Sequence, residues 1–324
     1  MKAVLCKSYG PPENLVIEDV PSLNPEKGQV VIQVKACGVN FPDTLIIEGK
    51  YQFQPDMPFS PGGEVAGIIK SVGEGVTHLK PGMSVMAGTG WGGFAEEVIG
   101  PDNNIVPIPK EWDMVHAASS MMTYGTSYHA LVDRARIKEG ETLLVLGAAG
   151  GVGTAAVQIG KLLGAKVIAA ASSDEKLAYC KSIGADEVIN YTTENLKDKI
   201  KELTGGNGAD VIYDPVGDKY AEPALRAIAW KGRYLVVGFA AGEIPKIPLN
   251  LTLLKGCAIM GVFWGGFFRK EPQANMKNFM QIGQWLQTGK LKPQIHATYP
   301  LEQVADALND MTSRKVMGKV VLVP

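Results

Sequence analysis

The stretch Thr142–Lys161, TLLVLGAAGGVGTAAVQIGK, constrains this chain more than any other. Thr142 to Leu146 is short and apolar, as a strand buried on both faces should be. The glycine run Gly147–Gly153 follows at once. After it Val152, Ala156, Ile159 and Leu163 recur at helical spacing. Strand, glycine turn and helix in succession form a dinucleotide-binding signal. Gly150 lets the backbone approach a pyrophosphate, and Gly153 lets the helix lie close on the strand. The unpaired amides of the helix N-terminus attract phosphate. The strict G-x-G-x-x-G pattern is broken, because Ala148 stands at its first glycine. Thr142 to Gly160 is free of charge and near the length of a membrane span. Its glycines cluster where a spanning helix would have to continue, so a strand, turn and helix explain it better.

A chain of 324 residues predicts one large or two medium domains. Hydrophobic residues make up 46% and charged residues 20%, which suits a water-soluble globular protein. The net charge of -1 provides no basic field for nucleic acid or an anionic membrane. The start, MKAVLCKSYG, lacks the apolar run of a signal peptide. Cys6, Cys37, Cys180 and Cys257 are scattered without metal-ligand or disulfide spacing, and a cytoplasmic location is expected.

The first hundred residues read as a compact, mostly β domain, with strands at Val30–Val34 and Gly63–Val72 and turns at Pro81-Gly82 and Gly92-Gly93. Val115 to Leu131 is apolar at helical spacing. Strands are then expected at 142–147, 166–171, 187–191, 211–216, 233–238 and 258–263. Helices are expected near 152–163, 174–183, 194–203 and 219–230, with Gly164 and Gly184 as stops. Repeated βα units imply an α/β fold with a doubly wound, parallel Rossmann-type sheet. The tail predicts helices near 274–288 and 301–312 and a strand at 319–323. That strand lies too far along the chain to neighbour the last parallel strand, so the tail is expected to rejoin the first domain.

The chain resembles the zinc-free quinone oxidoreductases of the medium-chain dehydrogenase/reductase superfamily. The resemblance is carried by Gly38-Val39-Asn40-Phe41-Pro42-Asp43, Pro61–Gly67, Gly73–Val76, Gly92–Glu96, Ala148–Gly153 with Gln158, and Asp214–Gly217. It implies a β-rich GroES-like catalytic domain (1–122 and 265–324), an inserted dinucleotide-binding Rossmann domain (123–264), and a nicotinamide held in a cleft between them. Family members often carry Tyr and Arg where this chain has Leu45 and Ile47. That departure makes the expected pocket less polar.

The zinc alcohol dehydrogenases of the superfamily use Cys, His and Cys as ligands. The matching positions here are Asn40, Gly63 and Met122, so no metal is expected. The resemblance makes Asn40 a polar contact to substrate or nicotinamide, with Asp43 as its orienting partner; Asp43 also reads as the cap of a short helix at 43–48. It makes Thr126 a nicotinamide-side residue, although a helical back-bond would serve as well. Ala149, Gly150, Gly151 and Val152 are the diphosphate candidates. Gly238-Phe239 and Phe263-Trp264 end two strands, where ligands sit in open α/β sheets. Tyr51, Phe53, Trp91, Trp264, Phe267 and Phe268 supply aromatic faces for a planar acceptor, or domain-interface core.

NADPH is the expected cofactor. Ala171 ends the second parallel strand, where NAD-specific folds place an acidic residue. Ser172, Ser173 and Lys176 follow, and the resemblance adds Tyr191. Against this, Ser172 with Glu175 reads as a capping box, and Asp174 lies just past the strand. The expected reaction is hydride transfer to a quinone or conjugated enone, with Asn40 or water supporting the developing oxyanion. Solvent, Tyr51 or Tyr124 would deliver the proton. The alternatives are an enoyl-thioester reductase, with Arg269 and Lys270 meeting a phosphate, and an NADPH-binding protein with little turnover. The apolar strand Cys257–Phe263, expected at the sheet edge, implies a homodimer.

Overall fold

The computed structural model describes all residues from Met1 to Pro324. They form two compact units, Met1–Met122 with Pro293–Pro324, and Thr123–Lys292.

In the first unit β1 (Lys2–Leu5) and β2 (Val16–Asp19) make an antiparallel pair. β3 (Gln29–Val39) runs straight into the helix α1 (Phe41–Ile46). β4 (Glu64–Val72), β5 (Ser84–Gly88), β6 (Glu97–Pro101), β7 (Ile105–Pro107) and the one-turn helix α2 (Met114–Ala117) follow. β3 is the spine of this sheet, pairing antiparallel with both β4 and β6. Its Val30, Ile32, Val34, Cys37 and Val39 join Val65, Ile69, Val85 and Phe94 in one apolar core. Ile47 is part of that core too, 1% exposed, so it does not line a pocket.

The second unit carries α3 (Met121–Tyr128, whose first two residues belong to the first unit), which continues as a π-helix over His129–Arg134. The helical spacing of apolar residues over 115–131 is thus shared by three helical pieces. β8 (Thr142–Leu146), α4 (Gly151–Leu162), β9 (Lys166–Ala171), α5 (Asp174–Ser182), β10 (Glu187–Asn190), α6 (Leu196–Leu203), β11 (Ala209–Asp214), α7 (Ala221–Arg226), β12 (Ile228–Val236), α8 (Asn250–Lys255) and β13 (Ala258–Gly261) come next. The helix expected over 219–230 is cut short, since residues 228–230 already belong to β12. The six strands are all parallel, in the order β10-β9-β8-β11-β12-β13. Leu143 to Leu146 are fully buried, as the two-sided cover of a parallel sheet requires.

The helices α9 (Trp264–Lys270) and α10 (Pro272–Gln287) stay with this unit, and the chain returns to the first unit only after Lys292. The return expected at residue 265 is thus too early. Trp264 Nε1 donates to Asn275 Oδ1 at 3.0 Å, the Phe267 ring stacks on His129 at 4.0 Å, and Asn278 donates to Asp133. These contacts hold both helices on the π-helix side. β14 (Ile295–Pro300), α11 (Val304–Thr312) and β15 (Lys319–Val323) then complete the first unit, and β15 pairs antiparallel with β3. The tail strand does rejoin the first sheet. No helix is long and apolar enough to cross a membrane.

Candidate functional site

In a parallel sheet every strand ends on the same edge. The residues following β8, β9, β10, β12 and β13 therefore share one rim of the second unit, and the strand order reverses between β8 and β11. Such a switch point is where open α/β sheets bind ligands.

The rim's centre is the glycine turn. Gly150 is the N-cap of α4 in extended conformation and makes no side-chain cap bond. A Cβ on Gly153 would lie 2.3 Å from Gly147 O and 2.8 Å from Ala148 Cα, so only glycine lets the helix sit this close to the strand. Ala149 is buried, whereas Gly150, Gly151 and Val152 are partly exposed. Behind them Ser127 Oγ donates to Val152 O at 2.9 Å and lies 2.9 Å from Tyr213 Oη, bracing the first turn.

Beside it, β9 ends in Ala171. The cap of α5 is Ser173, whose hydroxyl accepts from Lys176 N, and not Ser172 as the capping-box pattern suggested. Ser172 is left to meet Lys176 Nζ at 3.4 Å. Asp174 is drawn sideways by Asn190 Nδ2, at 2.7 Å. The Tyr191 ring packs against Tyr220 with centroids 4.3 Å apart and planes tilted by 42°. Farther along the rim Phe239 packs over Gly217, Gly238 N donates to Asp214 O, and Phe263 is 47% exposed. Asp214 holds this loop through Val216 N and Gly217 N and accepts from Tyr234 Oη. Thr126 is partly exposed on α3, one residue after Gly125, against which the Trp264 indole packs. Trp264, Phe267 and Phe268 belong to α9 and not to a loop. Tyr124 Oη donates to Gln158 Oε1, and burial raises its pKa above the usual phenol value.

The first unit supplies a buried polar cluster. Asn40 follows β3 and caps α1. Its Nδ2 donates to Gly38 O at 3.1 Å and to Glu64 Oε2 at 2.9 Å, while its Oδ1 accepts from Lys319 Nζ at 2.7 Å. Both amide hydrogens are engaged and the residue is 6% exposed, so Asn40 has none to offer a substrate oxyanion. Asp43 reaches back to Asn40 N at 2.7 Å and also accepts from Gly62 N at 3.2 Å, the helix-capping role. Burial pushes its carboxyl up to about 7, against the pull of those two amides and of Lys319. Lys319 Nζ donates to Val39 O, Asn40 Oδ1 and Glu64 Oε2, and Glu64 Oε1 accepts from Met122 N at 2.9 Å. Gly38 makes room: a Cβ there would lie 2.2 Å from Ala118 O. Neither Lys319 nor Glu64 was singled out from sequence. No group of three His, Cys, Asp or Glu side chains is placed to hold a metal ion.

Two family models match the chain: an alcohol dehydrogenase GroES-like domain over residues 26–110 and a zinc-binding dehydrogenase domain over 151–282. A quinone oxidoreductase-like protein 2 homolog of Nematostella vectensis is 42% identical over 99% of this chain and 88% of its own length. The quinone oxidoreductase of Rattus norvegicus is 38% identical over 99% of this chain and 97% of its own. Among solved structures, the Escherichia coli quinone oxidoreductase complexed with NADPH superposes with a TM-score of 0.93 at 28% identity, covering 100% of both chains.

Proposed function

Because the chain belongs to the zinc-free quinone oxidoreductase family of the medium-chain dehydrogenase/reductase superfamily, we propose that it is an NADPH-dependent, metal-independent reductase of quinones or conjugated enones. The observation that carries this reading is the uncapped N-terminus of α4 at the switch point of the parallel sheet. Its first-turn amides and the helix dipole suit a diphosphate, and Gly153 lets α4 pack close against the turn behind them. The residues present thus fit a nicotinamide dinucleotide, which supplies the hydride when bound.

Ala149, Gly150, Gly151 and Val152 hold the diphosphate. Ser172, Ser173, Lys176 and Tyr191 hold the adenosine end, where Lys176 with no competing acidic residue at Ala171 favours a 2′-phosphate. Gly238, Phe239, Phe263 and Trp264 border the nicotinamide end, and Thr126 orients it. Asn40 and Asp43 act as positioning residues, fixing the turn between β3 and α1, and the proton comes from solvent. Metal independence is supported by Lys319, whose ammonium already occupies the oxygen donors of Asn40 and Glu64. Four free thiols fit a cytoplasmic setting. The exposed apolar side chains Trp230, Leu253, Leu254 and Ile259 on and beside the β12–β13 edge fit a homodimer.

The test is NADPH oxidation with 9,10-phenanthrenequinone, run beside enone and enoyl-thioester acceptors, before and after EDTA. Turnover of the quinone or enone, unchanged by chelation, is expected. Turnover of the thioester alone would move the assignment to the enoyl reductases. Binding without turnover of any acceptor would make this an NADPH-binding protein. Activity lost to EDTA and restored by zinc would refute metal independence.

A further inference from the structure

Asn190, the last residue of β10, is 7% exposed, and every polar atom of its side chain is engaged. Its Oδ1 accepts from Thr192 N at 3.2 Å and Thr192 Oγ1 at 2.6 Å. Its Nδ2 donates to Asp174 Oδ1 at 2.7 Å. The amide cannot flip: its NH2 would then face the Thr192 N–H, and its carbonyl would face the Asp174 carboxylate. The chain beyond β10 is held as well, since Asn190 N donates to Glu194 Oε2 at 2.8 Å. Asp174 opens α5 directly after its cap, within one turn of Lys176, whose ammonium meets Ser172 Oγ. It is the carboxylate nearest in sequence to the end of β9, where Ala171 leaves the ribose-binding role vacant, and Asn190 holds it toward β10.

We propose that Asn190 is a specificity-determining residue: by holding the Asp174 carboxylate, it keeps a negative charge away from the cofactor's 2′-phosphate and an acceptor away from the free 2′-hydroxyl of NADH. This rests on the NADPH reading above. The device works by exclusion, since discrimination is the difference between two affinities and a repelled competitor counts as much as an attracted ligand. Asp174 itself is harmless while it is held. Released, it would repel the phosphate dianion and accept from the ribose hydroxyl.

The test is a four-protein cycle read as the dissociation constants of NADPH and NADH, followed by nicotinamide fluorescence: parent, Asp174→Ala, Asn190→Leu and the double variant. Asp174→Ala is expected to change the NADPH-to-NADH ratio by less than about twofold. Asn190→Leu is expected to weaken NADPH about tenfold with NADH held or improved, as a carboxylate freed to approach the phosphate requires. The double variant is expected to regain NADPH affinity to within about threefold of the parent, because the repelling group is gone. Asn190→Ser, which also lacks the reach to Asp174, replaces Asn190→Leu if the larger change prevents folding. Equal weakening of both cofactors without rescue by Asp174→Ala would overturn the inference and leave Asn190 a support of the β10 exit. A parent that binds NADH as tightly as NADPH would overturn the NADPH reading itself, a result visible before any variant is made.

Discussion

Replacing Lys319 with Met tests the polar cluster of the first unit. The side chains of Lys319 and Glu64 are 5% and 2% exposed, with Nζ and Oε2 3.1 Å apart. Removing one partner of such a pair strands the other charge away from water, at a cost of about 3–5 kcal/mol. Glu64 would keep the N–H groups of Asn40 and Met122, which pulls the figure toward the lower end. Asn40 Oδ1 would lose its donor, which adds about 1 kcal/mol. The net expectation is about 3–5 kcal/mol, or a fall in Tm of about 6–20 °C for a unit of this size. Scanning calorimetry, read on the transition of the first unit, measures it. Adding Glu64→Gln removes the stranded charge, and at least about half of the lost stability should return. A fall of less than about 2 °C for Lys319→Met, or no recovery in the double variant, would refute the picture of a paired, desolvated cluster.

Lys176→Ala should weaken NADPH about tenfold to a hundredfold and leave NADH nearly unchanged, since one charge-assisted contact is worth about 1.5–3 kcal/mol; equal loss for both would make Lys176 a support of the fold. Asp43 has a folded-state pKa raised to about 7, above its ordinary 3.8, so its stabilising contribution is full below the lower value and lost as pH rises through the upper one. The Tm of the parent minus that of Asp43→Asn should accordingly fall between pH 5 and pH 8, and parallel curves would contradict the shift. Light scattering at micromolar concentration should give a dimer mass, with Leu253→Glu/Leu254→Glu shifting it toward the monomer; a monomeric parent would remove the sheet-edge interface.

The parallel sheet was readable because strands buried on both faces must run apolar. KVIAAA at Lys166–Ala171 is observed with the expected bounds. The errors have particular causes. ALRAIA at 224–229 favours a helix by composition, yet Ile228 starts β12, because pairing with β11 outweighs local propensity. Gly265-Gly266 reads as a loop and is the first turn of α9. β14 alternates partly buried and exposed residues and pairs only with β15, so IHATYP carries no apolar run. The early domain boundary has the same root: the contacts of Trp264, Phe267 and Asn278 that keep α9 and α10 in the second unit join residues more than a hundred positions apart or lie within the misread segment.

The site was legible where it is built from backbone and obscure where it is built from long-range pairing. A glycine turn announces itself, because few other residues fit the close approach at Gly153. Shifting the α5 cap by one residue, from Ser172 to Ser173, frees the hydroxyl that meets Lys176, and no composition rule separates two adjacent serines. Gln158 was notable only by resemblance. Its partners are Tyr124 and the backbone of Lys292, 34 and 134 residues away. Lys319 opens KVVLV, and a charge at the head of a strand looks solvated until β15 is paired with β3 and its ammonium comes to lie on Asn40 and Glu64. That pairing changes what Asn40 is for. An amide with both hydrogens engaged and its oxygen on an ammonium has no free donor to turn toward an oxyanion. For a metal ion to take Asn40 Oδ1 as a ligand, it would have to displace the Lys319 ammonium, which would keep Glu64 Oε2 and Val39 O but would then face a second cation at close range. The same contact that removes Asn40 from direct chemistry therefore argues against zinc at that position.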